Sequence, residues 1–361
     1  MRVLATTTPG LDPVAAEEVA ALVGSDGERS ARGRLRFDTD PEGLARLNLL
    51  ARTLNRTNVV LHDGGFDSLD GIGAAVESLD WGRYLAPGQS FAVRSSRHGD
   101  HPFGSPDVAR VVGQAVVDAT REAWGERAPV DLDDPDVALR SFVREGRFTL
   151  AVDATGSSLH DRPWRAAGHD AAVRPTTAAA LVRFAGHEPH ETLCDPMAGS
   201  GTVAVEAALA ARNRPVDPTR EYPLSRLAFL PEGLLERVRA AERERAAVGR
   251  VRALDTDSEA VAATRENARA ARVGVEARVA DATETSVEAD RVVFDPPYGH
   301  RLDGGGLERL YGRLFRSLDR GSWRSVVLLT TREDLVPWTP EERLPVRLGR
   351  LEAAALRYRS K

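Results

Sequence analysis

The chain has 361 residues, 29% of them charged and 6% aromatic, with a formal net charge of −5; this is room for two or three domains with sizeable cores. No apolar run is long enough to span a bilayer and the opening MRVLATTTPG lacks a signal-peptide core, so the expectation is a cytoplasmic protein, and the acidic balance excludes one that coats nucleic acid by bulk charge. Lys361 is the sole lysine, which leaves phosphate contacts to arginine, while the single cysteine, Cys194, excludes disulfides, cysteine-rich zinc sites and chemistry that needs a cysteine nucleophile.

Residues 1–60 alternate as strand 3–7, helix 13–22, strand 33–37, helix 42–51 and a strand over 54–61. This β-α-β-α-β run is too short for a dinucleotide-binding unit and predicts a small module of ferredoxin-like form, in which no residue demands chemistry. In residues 61–153 a helix over 69–79 and a strand over 90–95 precede RHGDHPFGSPDVARVVGQAVVDAT. There Ser105 or Asp107 caps a helix whose Val108, Val111, Val112, Ala115, Val116 and Ala119 recur at helical spacing. Strands 137–143 and 148–152 close the segment. The stretch FAVRSSRHGDHPFGSPDVARVVGQAV resembles the THUMP domain, which implies RNA contact, and Arg94, Arg97, His98, His101 and Arg110 are the candidate phosphate contacts. Asp100 and Asp107 are interleaved with them, and a solvated loop accounts for the same residues.

Residues 154–170 carry small, polar and arginine residues without period and read as a linker to the remaining unit, 171–361. A helix over 173–184 opens on Pro175. The stretch ETLCDPMAGSGTVAVEAA then gives a short strand, a glycine turn and a small-residue helix from Thr202, the order in which doubly wound folds build a ligand seat. Gly199 and Gly201 remove Cβ atoms that keep a ligand off the backbone, and the free amides of the following helix can hold a carboxylate. Taken alone, the glycines also fit a tight turn with no ligand.

An insertion over 212–250, with an aromatic, proline-containing patch and a charged helix, separates this motif from strand 251–254. Asp255, followed by Thr256, is placed to accept from two ribose hydroxyls. Asp257 competes for that role or caps helix 258–271, and Asp255 is the preferred ribose partner. Strand 275–279 leads to Asp281 and Ala282. A fourth strand ends in VVFDPPYG, where Pro296 and Pro297 fix the backbone after Asp295 and Tyr298 offers a flat face. Helix 306–318 and strands 325–330, 343–347 and 354–359 complete a seven-stranded sheet. The last nineteen residues hold five arginines and Lys361 against Glu352, an edge that suits a polyanion or plain solvent.

Together DPMAGSGT and DPPYG, about a hundred residues apart, resemble the class I S-adenosylmethionine-dependent methyltransferases that modify exocyclic amines. Pro196, the Glu206-Ala207-Ala208 helix and the insertion are similar to the RNA guanine-N2 branch of that family. The resemblance implies an α/β fold: a C-terminal Rossmann-like class I methyltransferase with a seven-stranded, mostly parallel sheet, behind an N-terminal α+β region of ferredoxin-like plus THUMP form. It implies S-adenosylmethionine held by Asp195, Pro196, Ala198, Gly199, Ser200, Gly201, Thr202, Asp255, Thr256 and Ala282, with Asp281 at the adenine amino group. Thr176 and Thr177 take the place of residues that meet the cofactor's methionine end, or cap their helix. The implied partner is tRNA, gripped at its CCA end and acceptor stem by a monomer that uses no metal and no membrane.

Guanine's amino group is a poor nucleophile because its lone pair is delocalised. Asp295 and the Pro296 carbonyl can accept from its two N–H bonds, Pro297 keeps the corner rigid, and Tyr298 is expected to stack on an extruded base. The expected reaction is N2-methylation of guanosine at position 6 of tRNA; position 10 and 23S rRNA share the motifs. A DNA adenine-N6 methyltransferase lacks support in the N-terminal half, which shows no target-recognition signal. A thiolation enzyme needs an ATP pyrophosphatase loop and reactive cysteines, which are missing. A silent RNA-binding factor predicts degraded motifs, whereas Asp195, Gly199, Gly201, Asp255, Asp281 and Asp295 are all present.

Overall fold

A computed structural model describes residues 1–166, 173–246, 249–297 and 304–360, and two seven-stranded sheets organise them. The first sheet starts with β1 (Arg2–Thr7), α1 (Asp12–Val23), β2 (Glu28–Ala31), β3 (Arg34–Asp38), α2 (Pro41–Leu50) and β4 (Leu54–Gly65). It continues through α3 (Leu69–Glu77), the single turn α4 (Trp81–Tyr84), β5 (Phe91–His98), α5 (Ser105–Trp124), β6 (Val137–Arg144) and β7 (Arg147–Asp153). The strand order is β2-β3-β1-β4-β7-β6-β5. Strand β4 outruns the expected 54–61 because its pairing with β7 continues from Asn58 opposite Asp153 to Gly65 opposite Arg147. One sheet therefore runs through both N-terminal segments.

Alternation along these strands sorts the side chains. Val3, Ala5, Leu35, Phe37, Val59, Leu139, Phe148, Leu150 and Val152 join the core beneath the helices. Arg34, Arg36, Arg56, Arg140, Arg144 and Arg147 occupy the alternate positions. Strand β2 was not expected; its residues Glu28, Arg29 and Ser30 are exposed on the sheet edge, so no apolar pattern marks it. The cap of α5 is one-sided: Gly104 is the N-cap residue, without a side chain to accept, and its amide donates to Asp107 Oδ2 at 2.8 Å.

The second sheet follows α6 (Pro175–Phe184) and contains β8 (Leu193–Asp195), α7 (Thr202–Ala211), α8 (Leu234–Ala241), β9 (Val251–Asp255), α9 (Ser258–Ala270) and β10 (Glu276–Val279). It ends with β11 (Arg291–Phe294), α10 (Gly304–Arg320), β12 (Ser325–Thr330), β13 (Glu342–Leu348) and β14 (Leu351–Arg359). The order is β10-β9-β8-β11-β12-β14-β13, parallel from β10 to β12 and antiparallel beyond. Strands β11 and β12 are buried on both faces, which is why they read as continuous apolar runs.

The insertion after α7 does not stay with this sheet. Tyr222, Leu224, Leu227, Leu230, Leu234, Leu235 and Val238 are buried in the core of the first sheet, with α8 packed on α2. Burying each leucine there contributes about 1.5–3 kcal/mol. Residues 154–166, expected to be a linker, are likewise packed: Leu159 donates its amide to the Asn55 carbonyl at 2.8 Å, and Trp164 is buried. Between the sheets, Glu206 of α7 is fully buried and receives Arg52 at 3.2 Å and Arg162 at 2.8 Å. Gly10 is needed at this junction, because its φ is +99° and a Cβ would fall 1.9 Å from the Pro345 carbonyl oxygen.

Candidate active site

The chain steps from β8 to β9 on one side and returns to β11 on the other, so a crevice opens beyond the carboxyl ends of these strands. Asp195, Asp255 and Asp295 follow from β8, β9 and β11 at that one edge. β10 brings Asp281 and Ala282 to the same side. Tyr298, the expected base-stacking residue, lies outside the described residues.

After Asp195, the backbone from Pro196 to Gly201 turns tightly into α7. The Met197 amide donates to Asp195 Oδ1 at 3.1 Å, the Gly201 amide to the Ala198 carbonyl at 2.7 Å, and the Ala198 amide to the Leu254 carbonyl at 2.9 Å. The two glycines serve different ends. At Gly201, with φ +78°, a Cβ would fall 2.6 Å from Thr264 Cγ2, so the turn needs glycine to press against α9. At Gly199, with φ +53°, a Cβ would meet nothing within 4 Å among the described residues, so with respect to these the turn is open on this side. Among the described residues the Ser200 and Thr202 hydroxyls, buried there, have no hydrogen-bond partner, and they lie next to the first amides of α7. Orphaned hydroxyls beside helix-terminal amides fit the carboxylate end of a ligand.

Asp255 reaches into the same turn, accepting from the Gly199 amide at 2.8 Å through Oδ2 and from the Asp257 amide at 3.0 Å through Oδ1. Asp257 is the N-cap of α9, accepting from the Glu259 amide at 2.8 Å, which leaves Asp255 as the acid turned to the glycine turn. Thr256 is exposed beside it, and Ala282 is buried. Asp281 Oδ1 accepts from the Thr283 hydroxyl at 2.6 Å and the Thr283 amide at 2.8 Å, while Oδ2 lies 3.4 Å from Arg313. The Thr283 hydroxyl is the main reason that the Asp281 carboxyl sits below the usual carboxylate range.

Burial pushes the Asp195 carboxyl well above its ordinary range; the Met197 amide opposes this, and the charges of Asp295 and Asp255 add to it. Burial and these two like charges thus favour the protonated form of Asp195. Cys194, one residue earlier, is buried with its thiol pushed up to about 12 by desolvation, so it is an inert core residue.

Thr176 is turned elsewhere: it is fully buried and donates to Asn55 Oδ1 at 2.8 Å, while the Thr177 hydroxyl lies 2.8 Å from that of Thr8. The N-cap of α6 is Arg174, so neither threonine caps the helix. Sequence reasoning missed a constellation at the end of β12. The Tyr311 hydroxyl of α10 lies 2.7 Å from Thr330 Oγ1, which also accepts from the Arg332 amide at 2.9 Å. Burial raises the Tyr311 pKa and Asp295 contributes, which puts this pair on the Asp295 side of the crevice. The signal was the run LLTTRED, where an apolar strand ends in a hydroxyl and an arginine.

The expected RNA contacts do not share one face, although His101 Nε2 lies 3.3 Å from the His98 carbonyl oxygen. Arg94 donates to the Leu132 carbonyl, Arg97 to the Gly99 carbonyl at 2.5 Å, and Arg110 is exposed on α5. Period-two alternation in β5 turns Arg94 and His98 to the face away from the helices and Arg97 to the other. Burial, Arg34, Arg144 and Arg97 together lower the His98 pKa. Among the described residues no cluster could hold a metal ion, and no helix is long and apolar enough to cross a membrane.

A doubly wound sheet with a glycine turn and an Asp-Pro-Pro corner at one crevice is the framework of a class I methyltransferase. Residues 162–345 match the RMKL-like methyltransferase domain, residues 66–153 the THUMP domain and residues 2–57 the RlmL ferredoxin-like domain. The chain is 39% identical over 329 residues to a tRNA (guanine(6)-N2)-methyltransferase of Archaeoglobus fulgidus, covering 89% of this chain and 80% of that one. It is 33% identical over 344 residues to the protein of the same name from Methanocaldococcus jannaschii, covering 91% and 90%. The crystal structure of "a possible methylase from Clostridium difficile 630" superposes with a TM-score of 0.91 at 26% identity, covering 100% of this chain and 98% of that one. The chain belongs to the RMKL-like methyltransferases, with a THUMP domain ahead of the catalytic fold.

Proposed function

We propose that this protein transfers the methyl group of S-adenosylmethionine to the exocyclic N2 amine of a tRNA guanosine, that at position 6 of the acceptor stem. The observation that carries this reading is that the adjacent parallel strands β8 and β11 bring Asp195 and Asp295 to one edge of the sheet, the edge from which the glycine turn leaves. The substrate and its position are supported by the names of the two archaeal relatives, both of which align over the N-terminal segments as well.

The Ser200 and Thr202 hydroxyls and the amides opening α7 would hold the cofactor's carboxylate, Asp255 its ribose hydroxyls and Asp281 its adenine amino group. Bound there, it supplies a methyl group on a positively charged sulfur. Asp295 and the Pro296 carbonyl accept the two N–H bonds of the guanine amine and draw its nitrogen toward tetrahedral geometry. Pro297 keeps this corner stiff, and Tyr298 stacks on the flipped base. Asp295 receives the released proton; it need not be a strong base, because a methylated, ammonium-like nitrogen is acidic. Residues 1–60 and 61–153 grip the CCA end and acceptor stem and residues 171–361 carry the chemistry, in a cytoplasmic monomer.

The test is methyl transfer from radiolabelled donor to a tRNA transcript, followed by nucleoside mass spectrometry. N2-methylguanosine that vanishes when the guanosine at position 6 is replaced supports the reading. Label at position 10, label in 23S rRNA alone, or no transfer at all overturns it.

A further inference from the structure

The face of the first sheet that points away from its helices is paved with arginine. Between β3 and the β6–β7 hairpin lies a pocket floored by Leu4, Phe142 and Thr149 and rimmed by Arg34, Arg36, Arg144 and Arg147. Leu4, only 1% exposed, shares the lining of this pocket with the arginines. Arg36 and Arg147 share one carboxylate: Arg36 Nη2 lies 3.0 Å from Asp63 Oδ1, and Arg147 Nη2 lies 2.7 Å from Asp63 Oδ2. Both forks are thereby aimed, yet Asp63 neutralises one charge of two. Among the described residues, neither Arg34 nor Arg144 has a carboxylate within ion-pair distance. The lining includes one further acid, the exposed Glu145, so four guanidinium groups against two carboxylates leave an excess of two positive charges.

Arg34 is held over the partly exposed Phe142 ring, its guanidinium carbon 4.6 Å from the centroid. Burial, Arg144 and Arg36 all depress its pKa, which records how closely these cations are crowded. Crowding of like charges is unfavourable unless an anion relieves it. We propose that this pocket seats one nucleotide of a single-stranded RNA segment, its phosphodiester between Arg34 and Arg144 and its base on the Phe142–Arg34 stack. This rests on the RNA substrate proposed above and adds a binding site for it. Arginine forks match phosphate oxygens, and a ring under a guanidinium plane is a stacking platform that any base can use. An acidic peptide would use the charge but not the platform. The site is composite: β3 gives Arg34 and Arg36, and the β6–β7 hairpin gives Phe142, Arg144 and Arg147.

The test uses the full chain, a labelled single-stranded RNA octamer of mixed sequence and a tRNA transcript, with binding read by fluorescence anisotropy over a range of salt. For Arg34→Gln combined with Arg144→Gln, octamer affinity should fall about tenfold or more and the salt slope should shrink by about 0.7, the value for one neutralised phosphate on a single strand. Phe142→Leu should weaken binding about threefold or more while keeping the slope. Arg269→Gln, exposed on α9, should change neither. In tRNA methylation the double variant should raise KM and leave kcat and donor affinity unchanged. Should these variants misfold, photocrosslinking of a 4-thiouridine octamer to the wild-type chain must label the peptide carrying Phe142.

Octamer affinity within twofold of wild type in the double variant, an equal loss in Arg269→Gln, or crosslinks confined to other peptides overturns the site. Competition by polyglutamate as strong as that by RNA of equal charge would assign the pocket to acidic peptides instead. Because octamer binding needs no methyl transfer, a failure of the guanosine reading and a failure of this pocket are told apart.

Discussion

Asp255 Oδ2 accepts the Gly199 amide hydrogen at 2.8 Å, so the acid that ends β9 braces the glycine turn that follows β8. The same carboxylate is the proposed ribose partner, and it therefore shapes the cofactor seat as well as lining it. Asp255→Asn keeps the size and loses the charge. Hydrogen bonds to a charged acceptor contribute about 1.5–3 kcal/mol, so donor affinity should fall roughly ten- to hundredfold by calorimetry. An unchanged Kd would remove Asp255 from the site.

Gly199→Ala and Gly201→Ala should separate binding from stability. Both positions have positive φ, so each substitution costs about 1 kcal/mol of backbone strain. At Gly201 the new Cβ also meets Thr264 at 2.6 Å, and the total loss in urea unfolding should reach about 2–4 kcal/mol. Gly199→Ala should stay near the smaller figure and lose donor binding instead, because its Cβ enters the space reserved for the ligand.

Asp295→Ala should bind the donor with a Kd within about threefold of wild type yet lower the single-turnover rate by about a thousandfold or more. A normal rate would sink the proposed role of the Asp-Pro-Pro corner. Tyr311→Phe, which leaves the ring and removes the hydroxyl held by Thr330, should lower the rate by a smaller factor, about tenfold.

Asp195→Asn tests the protonation state of the buried acid. If Asp195 is neutral at pH 7, an amide of the same shape keeps the Met197 hydrogen bond, and donor affinity should change less than about threefold. A folded pKa raised above its unfolded value contributes instability once pH exceeds the unfolded value, and that cost grows until the folded pKa is passed. The variant lacks this cost, so its stability relative to wild type should rise with pH once the ordinary carboxylate range is passed, in denaturant titrations.

His187 works in the opposite sense. Burial depresses its pKa to about 4, with Arg291 and His190 assisting and Glu191 and Asp290 opposing. The unfolded chain then binds a proton near pH 6.5 that the folded chain refuses until about pH 4. Stability from this source is full above pH 6.5 and is lost as pH falls toward 4, by about 2–3 kcal/mol. His187→Gln should flatten that part of the pH–stability curve; an unaltered slope would show that the ring is protonated in the fold.

Much of this architecture is written locally. The strand over 325–330 is bounded as expected because six consecutive apolar or small residues, all buried, can only be a central strand here. The order Asp195, glycine turn, α7 and the pair Asp255 and Asp257 were legible because each is a contact between near neighbours. Strand β2 was not, since an exposed edge selects charged residues. The Arg52–Glu206–Arg162 cluster was also invisible, because its partners stand 154 and 44 residues apart and an arginine shows no sign of burial in sequence. The same limit hid the pocket around Phe142, assembled from strands that meet only in the folded sheet. It also hid the commitment of Thr176 to Asn55, 121 residues away.

The apolar side chains from Tyr222 to Val238 belong to the core of the first sheet. During synthesis, the opening 153 residues leave the ribosome with part of their interior still missing, and must wait for some eighty-five more before it can close. A fragment cut between the sheets would leave a hole on one side and a bare greasy helix on the other. Evolution cannot readily trade the front half of such a chain for another, because the back half carries its keystone.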